Sequence, residues 1–396
     1  MLKASMKALS IVMALRSNPF ILSVGASVFV GILAASFLGL WLAISFAREG
    51  FWALVWYFES WMVPAGFVLF PFFFFIMKKT SMRSVALAAL ACQIVGVGLM
   101  IISRGQMRPC TAGVMAALFS TGYWQMHHLA LSQITSHEGR AVELSFLAGL
   151  TGVASLTGAA IAGVMSGFSA EYALYIAFIL QAAATLGLAL TLPKAGVRTS
   201  TAADIETERF WVGLRAYPRQ NLGMAVDALH ELVTALFLST WLVTAGFPVI
   251  FFGVFRAIGS IAAVFVMPFC AAIVHRGRGQ EFRWAGLAGI GGWLVVLIIP
   301  SAFVILAANF LWSMAVVFLN TGLESRWYSR RSPDQILTRE LVLTCVRVPG
   351  IIVFAWIATR HPSFYPLAGI ATSLIVLPYG VYLLGSQRES SISAHH

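Results

Sequence analysis

Residues 69–79 read LFPFFFFIMKK and residues 266–277 read VMPFCAAIVHRG. Each is an apolar run interrupted by one proline and closed by basic or imidazole side chains. Sliding one over the other by 197 residues lays Pro71 on Pro268, Lys78 on His275 and Lys79 on Arg276. Without a gap, the same offset lays Glu143 of GRAVELSF on Glu340 of LTRELVLT, His127 on Glu324, and Glu59 on Arg256. Self-similarity at one offset marks a duplicated architecture. The repeated unit is a set of apolar helices, so the fold is expected to be two similar helical blocks in tandem.

Composition says what medium those blocks occupy. Of 396 residues, 59% are hydrophobic and 10% charged, and the mean hydropathy is +0.86. A soluble domain carries about 25% charged residues. An all-α integral membrane protein is therefore expected. The N-terminal stretch MLKASMKALSIVMALRSNPF has a basic start but no small-residue cleavage site, so no signal peptide is read there. Cys92, Cys110, Cys270 and Cys345 stand singly in apolar segments and read as packing residues.

Apolar runs of roughly 20 residues mark transmembrane helices. Twelve are read, at about 20–46, 52–77, 83–103, 109–133, 141–166, 170–192, 222–245, 248–274, 284–300, 303–325, 335–358 and 363–385. The polar stretch between the sixth and seventh divides the chain into a six-helix bundle over 1–192, a linker over 193–220 and a second bundle over 221–396. Residues 1–17 and the linker's ERFWVGLRAY have the pattern of helices lying on a membrane surface.

With both termini on the cytoplasmic side, only Arg48, Arg104, Arg108 and Arg360 of the 26 basic residues fall outside, while Arg256 and Arg347 fall within spans. The other 20 face the cytoplasm. That asymmetry predicts orientation. It also accounts for the net charge of +11 through contact with anionic inner-leaflet lipids, so nucleic acid is not an expected partner.

The stretch GYWQMHHLALSQITSHEGRAVELSFLAGLTGVASLTGAAIAGVMSG (122–167), together with the span order and central linker, resembles the major facilitator superfamily over nearly the whole chain. The resemblance implies two six-helix bundles that rock about a central cavity lined by the first, fourth, seventh and tenth spans. It also implies that the second and eleventh spans touch. Two motifs depart from the family. FIMKKTSMRS keeps the basic residues of the loop after the second span but not its aspartate. The fifth span has Gly149, Gly158, Gly163 and Gly167 without the antiporter proline.

Charges inside apolar spans are costly and point to function. Glu59, in WYFESWMVPAG, and Arg347, in TCVRVPG, both fall near mid-depth, and a Glu59–Arg347 pair between the second and eleventh spans is expected. Arg256, in GVFRAIG, needs an anion. The seventh span offers VDALHEL, in which Asp227, His230 and Glu231 are spaced to share one helix face. Two carboxylates and an imidazole there suit proton transfer, or a cationic or zwitterionic solute. An Arg256–Glu231 structural pair is the alternative. His127 and His128 lie in the fourth span, and a hydrogen-bonded structural histidine is the competing reading for either. Tyr123, Trp124, Trp241 and Trp312 fall on spans expected to line the cavity, while Trp52, Trp56 and Tyr57 suit an interfacial belt. Arg140, Glu143, Glu324, Arg339 and Glu340 lie at cytoplasmic helix ends and read as gate charges or ordinary interfacial pairs. No metal-ligand spacing, hydrolase motif or phosphate-binding loop is present in the sequence.

These residues predict a monomeric, proton-coupled secondary transporter of a small organic solute in a bacterial inner membrane, with no cofactor and no enzymatic activity. A lipid or lipid-linked substrate flippase on the same scaffold, and a non-transporting assembly factor, are the competing readings.

Overall fold

The structure is a computed structural model, and it describes residues 19–105, 107–134, 140–165, 170–192, 218–275, 279–329 and 333–393. Most of the linker, and both segments expected to lie on the membrane surface, fall outside the described residues, as do the side chains of Arg140, Glu143, Glu324 and Glu340.

The chain is all-helical. In order, α1 is Pro19–Glu49, α3 is Met82–Ile102, α5 is Arg140–Met165 and α6 is Ala170–Thr191. In the second half, α8 is Val249–His275, α9 is Gln280–Ile298, α10 is Ala302–Ser329, α11 is Pro333–Arg360, and α12 is a 3-10 turn followed by Tyr365–Ser393. Three further helices contain a wider, π-type turn. In α2, Phe51–Pro64 passes through Ala65–Leu69 into Phe70–Lys79. In α4, Met107–Phe119 passes through Ser120–Trp124 into Gln125–Ile134. In α7, Pro218–Glu231 passes through Leu232–Leu236 into Leu238–Thr244. Such turns gather at functional sites and re-aim the side chains beyond them.

Two of the described reversals between helices turn on glycine. Gly50 (φ 80°) joins α1 to α2, and Gly279 (φ 64°) opens α9. Both sit in the left-handed region that glycine reaches without strain. Ser81 caps α3 by accepting a hydrogen bond from the Ser84 amide at 3.2 Å.

Among the described residues, nine helices are long and apolar enough to cross a membrane. Helices α4, α5 and α7 fall outside that set. Two of them, α4 and α7, carry Gln125, His127 and His128, and Asp227, His230 and Glu231, which lower their hydropathy below that of a lipid-facing helix. Gln125, His127, Asp227 and His230 are buried against protein, so neither helix has to satisfy lipid on every side. Large apolar side chains such as Phe72, Phe75, Ile94, Val95, Phe265 and Phe303 point outward, as a lipid-facing surface requires.

Within the first six helices, α1 packs on α5 and α6, α2 on α4, and α3 on α4 and α6. Within the last six, α9 packs on α10 and α12, α8 on α10, and α7 on α11 and α12. The two sets meet along α5–α8 and α2–α11, and the Leu238–Thr244 segment of α7 reaches α1. The seams are built on glycine: a Cβ at Gly152 of α5 would lie 2.7 Å from Val264 of α8, and one at Gly66 of α2 would lie 2.3 Å from Thr344 of α11. Trp52 and Trp56 are exposed, as a belt would place them. Tyr57, expected beside them, is instead fully buried, with its ring 6.1 Å from that of Trp41.

Candidate functional site

The α2–α11 seam gives the register for the charges. Helices α2 and α11 run antiparallel with Gly66 opposite Thr344. Arg347 therefore lies level with position 63, and Glu59 with buried Ile351, about 6 Å further along at 1.5 Å per residue. Glu59 is seven residues before Gly66, so both occupy nearly the same face of α2. It thus points toward α11 but past Arg347.

The Glu59–Arg347 pair read from sequence is not formed. Arg347 Nη2 donates to Glu231 Oε2 of α7. The spans touch as expected, but the depths differ by about a helical turn, and α7 lies closer to the guanidinium. The ion pair therefore joins two helices of the last six and does not bridge the two halves. It also excludes the alternative pairing of Glu231 with Arg256. Glu59 is half-buried, and its Oε1 has no hydrogen-bond partner among the described residues.

Arg256 turns to the other half of the chain. A Cβ on Gly39 of α1 would lie 2.8 Å from its Nη2, so the guanidinium rests in the space that glycine leaves. It makes no hydrogen bond or ion pair among the described residues. Just before it, the Phe255 carbonyl accepts from Asn309 Nδ2 of α10. Asn309 was not singled out from sequence. Its only signal there is one amide inside the apolar run VILAANFLWSM.

The three polar residues of α7 do not act as one face. Positions 230 and 231 are about 100° apart on a helix. Glu231 goes to Arg347, while His230 is buried toward α9, with Nε2 3.7 Å from where a Cβ on Gly289 of α9 would stand. Thr234 Oγ1 lies 3.4 Å from His230 Nδ1 and donates to the His230 carbonyl at 2.7 Å. Asp227 is buried. The π turn follows directly. Phe237 N–H bonds to Leu232 O, five residues back, and Tyr365 Oη donates to Val233 O at 2.6 Å.

The α4 aromatics are packed into their own half. Tyr123 is fully buried, stacks on Phe119 with ring centroids 4.8 Å apart, and is hydrogen-bonded to Ser27 at 3.1 Å. His127 is buried, stacked on Tyr123 and edge-on to Trp124. Its Nδ1 has no hydrogen-bond partner among the described residues. Trp124 is only partly buried. Trp312 is buried against Trp293, with centroids 4.1 Å apart, and Trp241 donates to Pro362 O at 2.8 Å. Trp241 and Trp312 thus belong to an aromatic cluster with Trp293 and Tyr365. Arg339, at the start of α11, lies within electrostatic reach of His128 on α4. No group of three His, Cys, Asp or Glu side chains is placed to hold a metal ion among the described residues.

No family model matches the sequence, and no curated protein matches it. Solved structures do. The human organic anion transporter MFSD10 (TETRAN) superposes with a TM-score of 0.68 at 16% identity, over 92% of this chain and 98% of that one. The nucleoside transporter NupG gives 0.66 at 13% identity, over 92% and 99%. The E. coli fucose:proton symporter FucP gives 0.62 at 12% identity, over 92% and 98%. Near-complete coverage in both directions, with the helix order and glycine seams described above, makes this chain a multi-pass membrane protein with the fold of the major facilitator superfamily.

Proposed function

We propose that the protein is a secondary transporter that moves a small organic solute by alternating access and couples the movement to protons at Glu59. The observation that carries the coupling is the carboxyl group itself. Glu59 lies on the α2 face that meets α11, where the two halves of the chain touch, with Oε1 buried and without a hydrogen-bond partner among the described residues. A carboxyl group buried alone costs least when neutral. A movement that opens the α2–α11 seam to water would let it release its proton. Loading on one side and release on the other is what coupling requires.

The six-plus-six organisation, with its boundaries at 192 and 221, is part of this reading, as are cytoplasmic termini in a bacterial inner membrane. Arg339 beside His128 supports a cytoplasmic gate in which Arg140, Glu143, Glu324 and Glu340 take part. The solved structures that share the fold carry titles naming an organic anion transporter, a nucleoside transporter and a fucose:proton symporter, so the fold alone does not choose the solute. A plain cation would leave Arg256 without an anion, and Glu231 is taken up by Arg347. A zwitterion keeps an anchor at each end, Arg256 for its acid and Glu59 for its ammonium.

The test is reconstitution into liposomes with an imposed pH gradient and a panel of candidate solutes. Uptake or efflux of at least one solute should follow the gradient, and Glu59→Gln should uncouple it while leaving exchange down the solute's own gradient. Flux that ignores the gradient, or keeps following it in Glu59→Gln, refutes coupling through this residue.

A further inference from the structure

We infer that Arg256 is the docking point for an acidic group on the solute, in the simplest case a carboxylate, at the seam between α1 and α8. The inference rests on the transporter reading and narrows it to a class of solute.

A guanidinium keeps its charge at any physiological pH, so burial cannot neutralise it. A cation held within a bilayer-spanning bundle calls for an anion. Arg347, the other basic residue inside the spans, has one in Glu231. Arg256 has no hydrogen bond or ion pair among the described residues, and the carbonyl nearest to it in the chain, that of Phe255, is already taken by Asn309.

The surroundings are built for the group. Gly39 is a glycine where any side chain would displace the guanidinium, since a Cβ would fall 2.8 Å from Nη2 and 3.3 Å from Cζ. One turn along α8, a Cβ on Gly259 would fall 2.8 Å from Ser313 Oγ and 3.1 Å from Asn309 Nδ2, so α8 is held tightly against α10 there. A side chain whose helix is fixed by its neighbours is positioned in advance of its ligand. The fork of N–H donors on a guanidinium matches the two oxygens of a carboxylate, which a single ammonium does not.

The location adds a consequence. Arg256 belongs to the last six helices and leans on α1 of the first six. An anion bound there touches both halves, so its arrival and departure are tied to their relative movement.

The experiment uses the purified full-length chain in detergent at fixed ionic strength. Its melting temperature is followed against matched pairs of small carboxylic acids and their primary amides, amino acids included. At least one acid should raise the melting temperature while its amide does not. Arg256→Gln should abolish that shift, and Arg256→Lys should weaken the apparent affinity at least tenfold, as expected where two oxygens are held together. Gly39→Ala, which pushes against the guanidinium without removing it, should also weaken binding, and it serves where Arg256→Gln does not fold. The proposal is overturned if amides act as well as acids, if no acid acts, or if Arg256→Gln or Gly39→Ala responds like the wild type. Coupled flux of a solute without an acidic group would overturn this site and leave the transporter reading standing. Acid binding at Arg256 without flux of any solute would do the reverse.

Discussion

Gly66 of α2 and Thr344 of α11 approach so closely that a Cβ built on the glycine would stand 2.3 Å from the threonine Oγ1 and 2.7 Å from its Cβ. Thr344 is buried, so it has little space into which to retreat. Gly66→Ala should therefore wedge the two halves of the chain apart. Overpacking of this kind costs about 1–3 kcal/mol. The expected result is a lower melting temperature, partly restored when Thr344→Ala removes the hydroxyl and methyl that the new Cβ meets. If Gly66→Ala melts with the wild type and shows no coupling to Thr344→Ala, the seam is looser than described.

The Arg347–Glu231 pair is unequal, with side-chain exposures of 13% and 37%. Removing either charge strands the other, and the cost depends on how well water reaches the survivor. Glu231→Gln leaves a mostly buried guanidinium and should destabilise by up to about 3 kcal/mol. Arg347→Gln leaves the better-exposed carboxylate and should cost nearer to about 1 kcal/mol. Thermal melting of both variants and of the double variant checks the order. Equal losses would mean that the pair is solvated alike on both sides.

His230 is the residue whose sequence reading and surroundings part most clearly. Its ring is buried in the last six helices, and Nε2 has no hydrogen-bond partner among the described residues. Replacing a polar group that lacks a partner by an apolar one of similar size is nearly neutral. His230→Met should change stability by less than about 1.5 kcal/mol and leave the pH dependence of transport unchanged. A shifted pH profile in His230→Met, measured beside Glu59→Gln, would return the histidine to the proton path.

What could be read from the sequence follows from periodicity and length. Apolar runs of membrane-spanning length and a repeat that lays Pro71 on Pro268 are written along the chain, and they carry the fold. Pairing of charges is not written there. Span ends read from hydropathy put Glu59 and Arg347 at similar depths only to within a helical turn, and one turn is enough to hand Arg347 to Glu231. Three- and four-residue spacings put His230 and Glu231 on one helix face with Asp227, yet side chains 100° apart part company when neighbours lie on both sides. The role of Gly39 had no sequence signal, because a glycine's value there lies in what another helix places beside it.

Tyr365 carries the last prediction. In α7 the wide turn sends the Phe237 N–H to Leu232 O, so it does not bond to Val233 O, which instead accepts from Tyr365 Oη of α12 at 2.6 Å. The tyrosine is fully buried and its ring stacks on Trp241, with centroids 5.2 Å apart. Tyr365→Phe keeps the stacking and removes only the donor, leaving a buried carbonyl short of its partner at a cost of about 1–3 kcal/mol. That cost falls on the turn following Glu231, so the loosening should be local. Amide hydrogen exchange should quicken across residues 232–238 and stay unchanged in α9. Arg347, held by Glu231 one residue before the turn, should lose part of its anchorage, so Glu231→Gln should cost less in the Tyr365→Phe background than in the wild type. Fully additive losses would show that the turn and the ion pair are independent, and that α7 is stiffer through its π turn than its hydrogen bonds imply.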